Sequence, residues 1–382
     1  MRIGIVGAGI GGLVAAAGLE ADGHRVTVYE RREEPAAVGA GLTLFANAFA
    51  ALDAVGLGET VRAVSSDAVG RLSSGQRRPS GRWLLSLPPS DTPSIRSLFR
   101  SDLHRALLDR LGPGVVRAEA GAEVTRDGRP VLEVDGHEER HDLVIAADGL
   151  RSRARARWGL DRGLRAAGYT AWRGVTASRG HLADEAGETW GAGVRFGIVP
   201  LPDDRVYWFA TRSTRPVAAG RREADADPRT AVLEQVGTWH APIRELVEAT
   251  PADVVLRHDI EDLAALPRSF VRHRGVLLGD AAHAMTPDLG QGAGQAIEDA
   301  ATLTILLRGA GLADLDAVLR RYDAIRRPRA RALWRASHLA GHVAQASGPV
   351  SVPMRDLALR AVPAALFSRA VTRGSAWHPP RR

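Results

Sequence analysis

The first thirty residues constrain this chain more than any other stretch. Arg2–Val6 is a short apolar run that predicts a buried strand, and Gly7-Ala8-Gly9-Ile10-Gly11-Gly12 follows at once. Leu13–Glu20 is rich in helix formers, Ala21-Asp22-Gly23 is a turn, and the β-branched run Arg25–Tyr29 ends at Glu30. Strand, glycine-rich turn, helix and strand within about 30 residues make one βαβ unit. Gly7 permits the tight turn, Gly9 lets backbone approach a pyrophosphate, and Gly12 lets the helix lie close to the strand. The helix then offers phosphates its unpaired N–H groups and the positive end of its dipole. Glu30, 18 residues past Gly12, is placed to accept hydrogen bonds from a ribose. A GxGxxG alone is a weak signal, but here every element around it is in register. The unit predicts a bound dinucleotide without separating FAD from NAD.

Bulk properties narrow the rest. At 382 residues the chain is long enough for two domains, at roughly 100–200 residues each. It has no cysteine, which excludes disulfides, thiolate metal sites, cysteine nucleophiles and dithiol redox chemistry. The net charge is +7, and every basic residue counted is arginine, with no lysine anywhere. Arginine alternates with Asp and Glu along the chain, so the basic balance reads as compositional preference and not as a nucleic-acid surface. No charged leader with an apolar segment opens the sequence and no apolar run reaches membrane-spanning length. The expectation is a soluble, cytoplasmic protein with neither nucleic acid nor membrane as partner.

Further along, Gly39–Leu44 reads as a mobile glycine-rich segment, Asn47–Val64 as helix, and Ser65–Ser94 as a polar excursion with weak strand signal. Ser101–Leu111 predicts an amphipathic helix with Leu103, Leu107, Leu108 and Leu111 on one face. Strands are predicted at Val115–Ala118, Ala122–Arg126, Val131–Val134, Asp142–Ala147, Tyr169–Thr176, Trp190–Val199, Arg205–Thr211 and Gly275–Leu278. Helices are predicted at Thr230–Glu248, at Ile297–Leu307, and at Leu315–Gln345 with an interruption at Pro328. The segment from Pro349 onward reads as a loosely docked helix.

Two more strands run into motifs. Asp142–Ala147 leads into Asp148-Gly149-Leu150-Arg151-Ser152-Arg153-Ala154-Arg155. Gly275–Leu278 leads into Gly279-Asp280-Ala281-Ala282-His283, then Pro287 and Gly290-Gln291-Gly292-Ala293-Gly294. An acid after a buried strand can bond sugar hydroxyls at the strand's carboxyl end, where α/β proteins hold ligands. The Gly290–Gly294 turn opens a helix, so its free N–H groups can face an anionic edge.

In this order, from Met1 to about Arg331, the three motifs resemble those of the group A FAD-dependent monooxygenases, the para-hydroxybenzoate hydroxylase superfamily. Within it, urate and salicylate hydroxylase-like aromatic hydroxylases are the most similar. The resemblance implies an α/β fold: a Rossmann-like FAD-binding domain of the GR2, para-hydroxybenzoate hydroxylase type, with an inserted α+β substrate domain on a mostly antiparallel sheet. The FAD-binding domain would comprise residues 1–64, 97–167 and 269–345, the substrate domain 65–96 and 168–268, and a helical tail 346–382. Glu30 and Arg31 would hold the adenosine ribose, Arg100 the ribityl–pyrophosphate region, and the Val124 backbone the adenine. Asp148, with Arg155 completing its motif, would support the pyrophosphate and the nicotinamide nucleotide, and Asp280 the ribityl chain. Pro287 would lie beside the isoalloxazine on the substrate side. The implied chemistry takes a hydride from NADPH or NADH onto non-covalent FAD, reacts it with O2, and hydroxylates a small aromatic or polycyclic substrate through a flavin C4a-hydroperoxide. Water must be excluded for that purpose.

For the substrate side, the candidate wall is Trp172, Arg173, Arg195, Phe196, Tyr207, Trp208 and Phe209. Arg195 and Tyr207 match in spacing an arginine and a tyrosine of the urate hydroxylase-like enzymes. Arg195 would neutralise a substrate anion, and Tyr207 would bond a phenolate or carbonyl. His283 reads as structural, satisfied by a backbone carbonyl. His258 and Asp259, as neighbours in a strand, point to opposite faces. The Arg320–Arg331 run reads as a solvated helix face. A flavin-dependent halogenase of the same fold relies on a catalytic lysine, which this chain lacks. A same-fold epoxidase or Baeyer–Villiger enzyme, and a flavoprotein that binds substrate without oxygenating it, stay open, as do monomer and homodimer.

Overall fold

A computed structural model describes residues 1–33, 40–91, 94–177, 186–214 and 227–381. Two large sheets organise the described residues. The first has six strands in the order Val271–Arg272, Gly275–Leu277, Leu143–Ala146, Arg2–Val6, Arg25–Tyr29, Val116–Arg117. All its pairings are parallel except that of the edge strand Val271–Arg272. Its central strands are apolar because both faces are covered. Ile3, Ile5 and Leu143–Ala146 are fully buried, with the helices Ile10–Ala21 and Gly292–Leu307 in the same core. The helix Ile10–Ala21 is apolar nearly all round and buried from Ile10 to Leu19, as a helix enclosed by protein must be. A three-stranded antiparallel sheet, Ala122–Val124, Val131–Val134 and His137–Arg140, flanks this unit.

The second sheet has seven strands in the order Leu256–Leu263, Leu164–Val175, Val206–Ser213, Val194–Pro200, Gly187–Trp190, Ser74–Arg77, Trp83–Leu87. Only Gly187–Trp190 and Ser74–Arg77 pair in parallel. One face packs under the helices Pro228–Val236 and Ile243–Glu248, in a core built from Trp172, Phe196, Trp208, Val232, Val236 and Ile243. The opposite face meets the first unit: Phe99, Val175, Leu201 and Tyr207 form a separate small cluster there. A two-stranded ribbon, Gly41–Phe45 with Ile95–Phe99, carries the chain between the units.

Several expectations change. Gly41–Phe45 is a strand, held by its antiparallel partner, while Gly39 lies outside the described residues. Thr230–Glu248 is two helices, because Gly237 caps the first and Pro242 precedes the second. Leu315–Ala344 runs uninterrupted through Pro328. Arg326, in the middle of that basic run, is fully buried among carboxylates, so the Arg320–Arg331 stretch is not simply a solvated face. The tail is two helices, Ser351–Ala361 and Ala364–Gly374, of which the first buries Arg355 and Asp356 and the second no residue, followed by Trp377, which is buried in the first unit's core.

Candidate active site

At the carboxyl ends of the parallel strands the backbone forms a cradle. Gly7 has φ of +104°, and a Cβ there would lie 2.5 Å from the Ala147 carbonyl oxygen. A Cβ on Gly12 would run into the carbonyl oxygen of Gly7, whereas one on Gly9 would meet nothing within 4 Å. The turn is therefore tight where helix meets strand and open where a phosphate would approach. Glu30 accepts hydrogen bonds from the Ala8 N–H (3.0 Å) and the Arg32 N–H (3.0 Å). A carboxylate has about four acceptor sites, so it retains capacity for ribose hydroxyls. Arg31 and Arg100 are exposed beside this cradle, and Val124 is buried, its side chain in the first core.

His104 went unnoticed in the sequence. It is buried, and its Nε2 lies 2.7 Å from the Ala8 carbonyl oxygen. Burial, and then the positive charge of Arg100, lower its pKa against the raising effects of that backbone bond and Glu30. Its one signal was its place on the buried face of a helix that begins at Arg100.

The two later motifs lock onto each other. Arg155, almost wholly buried, donates to Asp161 (2.9 Å), to the Ala281 carbonyl (3.0 Å) and to the Leu150 carbonyl (2.7 Å). It thus straps the Asp148 turn to the Asp280 turn. Asp148 Oδ2 accepts from the Ala154 N–H, while Oδ1 is buried with no partner among the described residues. Asp280 stands exposed at the head of the short helix Asp280–His283. His283 does not bond a backbone carbonyl: its Nε2 lies 2.6 Å from the Asp299 carboxylate. Asp299 also accepts from the Gly279 N–H and from Arg326. An orphaned carboxylate oxygen, an exposed acid and an open glycine turn fit the sugar and phosphate groups of FAD.

The turn Pro287–Leu289 ends at Gly290, which has φ of +63°, and the helix Gly292–Leu307 begins two residues later. The N–H groups of Gly292, Ala293 and Gly294 lack intrahelical partners, and a Cβ on Gly292 would meet nothing within 4 Å. Gln291 is fixed from below by Asn47 (2.9 Å) and from the tail by Ser375 (3.3 Å). Asn47 donates as well to Glu298 (2.7 Å), which also accepts from Arg326 and Arg329. Glu298 lies nearly two turns into the helix, and Asn47 ties it to Gln291 at the helix start. Pro287 is exposed at the mouth.

The seven-stranded sheet sorts the candidate wall by alternation. Trp172, Phe196 and Trp208 are on the far face, in the core beneath the two helices, with Phe196 stacked on Trp208 at 5.6 Å. Trp172 is therefore not a wall residue, because neighbours in a strand face opposite ways and it precedes Arg173. On the near face lie Tyr169, Arg173, Arg195, Tyr207 and Phe209, through the pairings Arg173 with Phe209 and Val175 with Tyr207. His258 is exposed, and Asp259 accepts from Thr170 (2.6 Å) and bonds Arg257 (3.2 Å), away from any acid–base work.

Arg195 is not free to meet a substrate anion. It is buried, donates to Asp288 (2.6 Å) and Thr211 (3.2 Å), and has Glu188 at 3.6 Å. Asp288, which carries no local sequence signal, also accepts from the Tyr169 hydroxyl (2.8 Å). Two strands of the substrate sheet thus grip the turn between Pro287 and Gly290. Burial pushes the Tyr169 phenol far up, and Asp288 adds to it. Burial likewise raises the Tyr207 phenol, against the lowering effect of the nearby Arg173 guanidinium. Tyr207 lies directly on the Gly41 backbone, where a Cβ would strike its ring. Arg173, half-buried, is the near-face cation whose neighbour is a neutral phenol.

The FAD binding domain family matches residues 1–337. Over 366 residues, 93% of each chain, the sequence is 37% identical to aurachin C monooxygenase/isomerase of Stigmatella aurantiaca. It is 34% identical over 377 residues to 2-heptyl-3-hydroxy-4(1H)-quinolone synthase of Pseudomonas aeruginosa, covering 95% and 94% of the two chains. Among solved structures, Klebsiella pneumoniae HpxO complexed with FAD and uric acid superposes with a TM-score of 0.86, 26% identity and coverage of 98% and 96%. With the glycine cradle, the orphaned Asp148 and the gripped turn before Gly290 already in place, these matches show that the chain belongs to the FAD-binding group A flavoprotein monooxygenases.

Proposed function

We propose that this enzyme hydroxylates a planar, electron-rich, fused nitrogen heteroaromatic, and that Arg173 and Tyr207 read an oxygen on its ring. The 4(1H)-quinolone and uric acid in the names of two relatives are both planar fused nitrogen heterocycles. The observation that carries the reading is the division of labour on the near face of the substrate sheet. Arg195 is neutralised by Asp288, whereas the Arg173–Tyr207 pair stands beside the apolar surface of Phe99, Val175 and Phe209.

Bound FAD, reduced by NAD(P)H, supplies the oxygen-transfer chemistry with O2 as the oxidant. The chain's part is to bind, orient and exclude water. The flat ring would rest on Phe209 and Tyr207, an oxygen of the ring would meet Arg173, and the N–H groups opening the Gly292 helix would face developing negative charge. We place the substrate domain at residues 65–96 and 168–268 and the FAD-binding domain at 1–64, 97–167 and 269–345. NAD(P)H consumption in air should rise on adding a 4-quinolone, with a product one oxygen atom heavier. Flavin that stays oxidised with every fused heterocycle offered would instead support a substrate-binding partner without turnover.

A further inference from the structure

Nine large hydrophobic residues are exposed among the described residues, and seven of them, Leu339, Val343, Val350, Met354, Leu357, Val362 and Leu366, fall within one stretch of 28 residues. Met354, Leu357 and Leu366 are 65%, 69% and 56% exposed, more than scattered surface apolar residues need explain. Val350, Met354 and Leu357 recur at helical spacing on the face of Ser351–Ala361 opposite Arg355, which is buried against the sheet. The following helix, Ala364–Gly374, buries no residue at all. Both helices pack against the edge strand Trp83–Leu87, so their outer faces share one side of the molecule.

Charge is concentrated in the same place. Eleven of the 51 basic residues lie beyond Asp323, against one of the 44 acidic residues, so the chain before that point is slightly acidic and the basic balance belongs to the C-terminal segment. That one acid, Asp356, is buried between Arg78 and Arg355. Arg360, Arg369 and Arg373 are exposed around the apolar residues with no ion pair among the described residues. A second copy related by twofold symmetry would bring this positive surface against itself, since such an interface uses the same patch on both subunits. An apolar stripe rimmed by arginine is matched by a layer of anionic headgroups over acyl chains.

We propose that the two C-terminal helices form a peripheral docking face that holds the enzyme on anionic bilayers. No described helix is long and apolar enough to cross a membrane, so the contact is superficial, with Met354, Leu357 and Leu366 entering the headgroup boundary.

Flotation of the full-length, FAD-loaded protein with vesicles tests this. Protein should float with phosphatidylcholine vesicles that contain phosphatidylglycerol, and not with phosphatidylcholine alone or at high salt. Affinity should fall about fivefold for each of Arg360, Arg369 and Arg373 replaced by Gln. The combined change Met354→Glu, Leu357→Glu and Leu366→Glu should abolish flotation while FAD content and NAD(P)H oxidation stay unchanged, which also shows that the variant folds. Wild-type protein that never floats, or a triple variant that floats equally well, would overturn the proposal. So would a triple variant that merely turns a dimer into a monomer, which would mark the face as a contact between copies.

Discussion

Two arginines on one face of one sheet carry different duties because their partners differ. Arg195 is buried against Asp288, so Arg195→Met strands a buried carboxylate with only the Tyr169 hydroxyl and the loss should approach 3–5 kcal/mol. Urea unfolding of the holoenzyme measures it. Arg173 is half-buried and acts on the Tyr207 phenol beside it. Arg173→Met should leave the unfolding midpoint nearly unchanged and raise KM roughly tenfold or more, the scale of a lost charged hydrogen bond. If KM moved with Arg195 and stability with Arg173, the assignment would be reversed. Part of this division was legible. Period-two alternation alone says that Trp172 and Arg173 cannot both face the flavin, and it puts Tyr207 with Phe209 and Trp208 on the other side. What could not be read was Asp288, since its partners Tyr169 and Arg195 are 119 and 93 residues away.

At the level of elements, local signals were read well and long-range ones were not. The βαβ unit at the N-terminus declares itself because its strand, turn and helix are contiguous. The helix Gly292–Leu307 was visible by its composition, but the reason it is held in place was not. Its fully buried Glu298 collects Asn47, Gln295, Arg326 and Arg329. No spacing rule connects residue 47 to residue 298. The docked tail had one overlooked signal, the single acid Asp356 in an otherwise basic segment, and it is the residue that Arg78 and Arg355 hold. Glu298→Gln should cost about 3–5 kcal/mol, because the two guanidinium groups are left facing an amide. Since the same network fixes Gln291 ahead of the helix that we propose faces the flavin, the variant should also lose FAD on desalting. Retention of FAD and an unchanged melt would mean the network is dispensable.

For the molecule as a whole, the four tyrosines give a test of how completely the two units close. Tyr29 and Tyr322 are buried in the first core, while Tyr169 and Tyr207 are buried where the substrate sheet meets it. Burial is the largest cause at every one, and each phenol is pushed above its ordinary value of 10. A phenol whose folded pKa is raised contributes stability that is intact below the unfolded value, near 10, and is lost as pH climbs toward the folded value. In that range the unfolded chain has released protons that the native state still holds, so stability falls with pH. All four groups act in the same direction, and an alkaline titration should therefore show almost no phenolate absorbance through pH 10, then a single cooperative rise that coincides with loss of far-ultraviolet dichroism. Tyr207→Phe and Tyr322→Phe should each remove a quarter of that rise and move its midpoint upward. A gradual increase centred at pH 10 with the dichroism intact would show that water reaches these rings and that the units are not closed on each other as described.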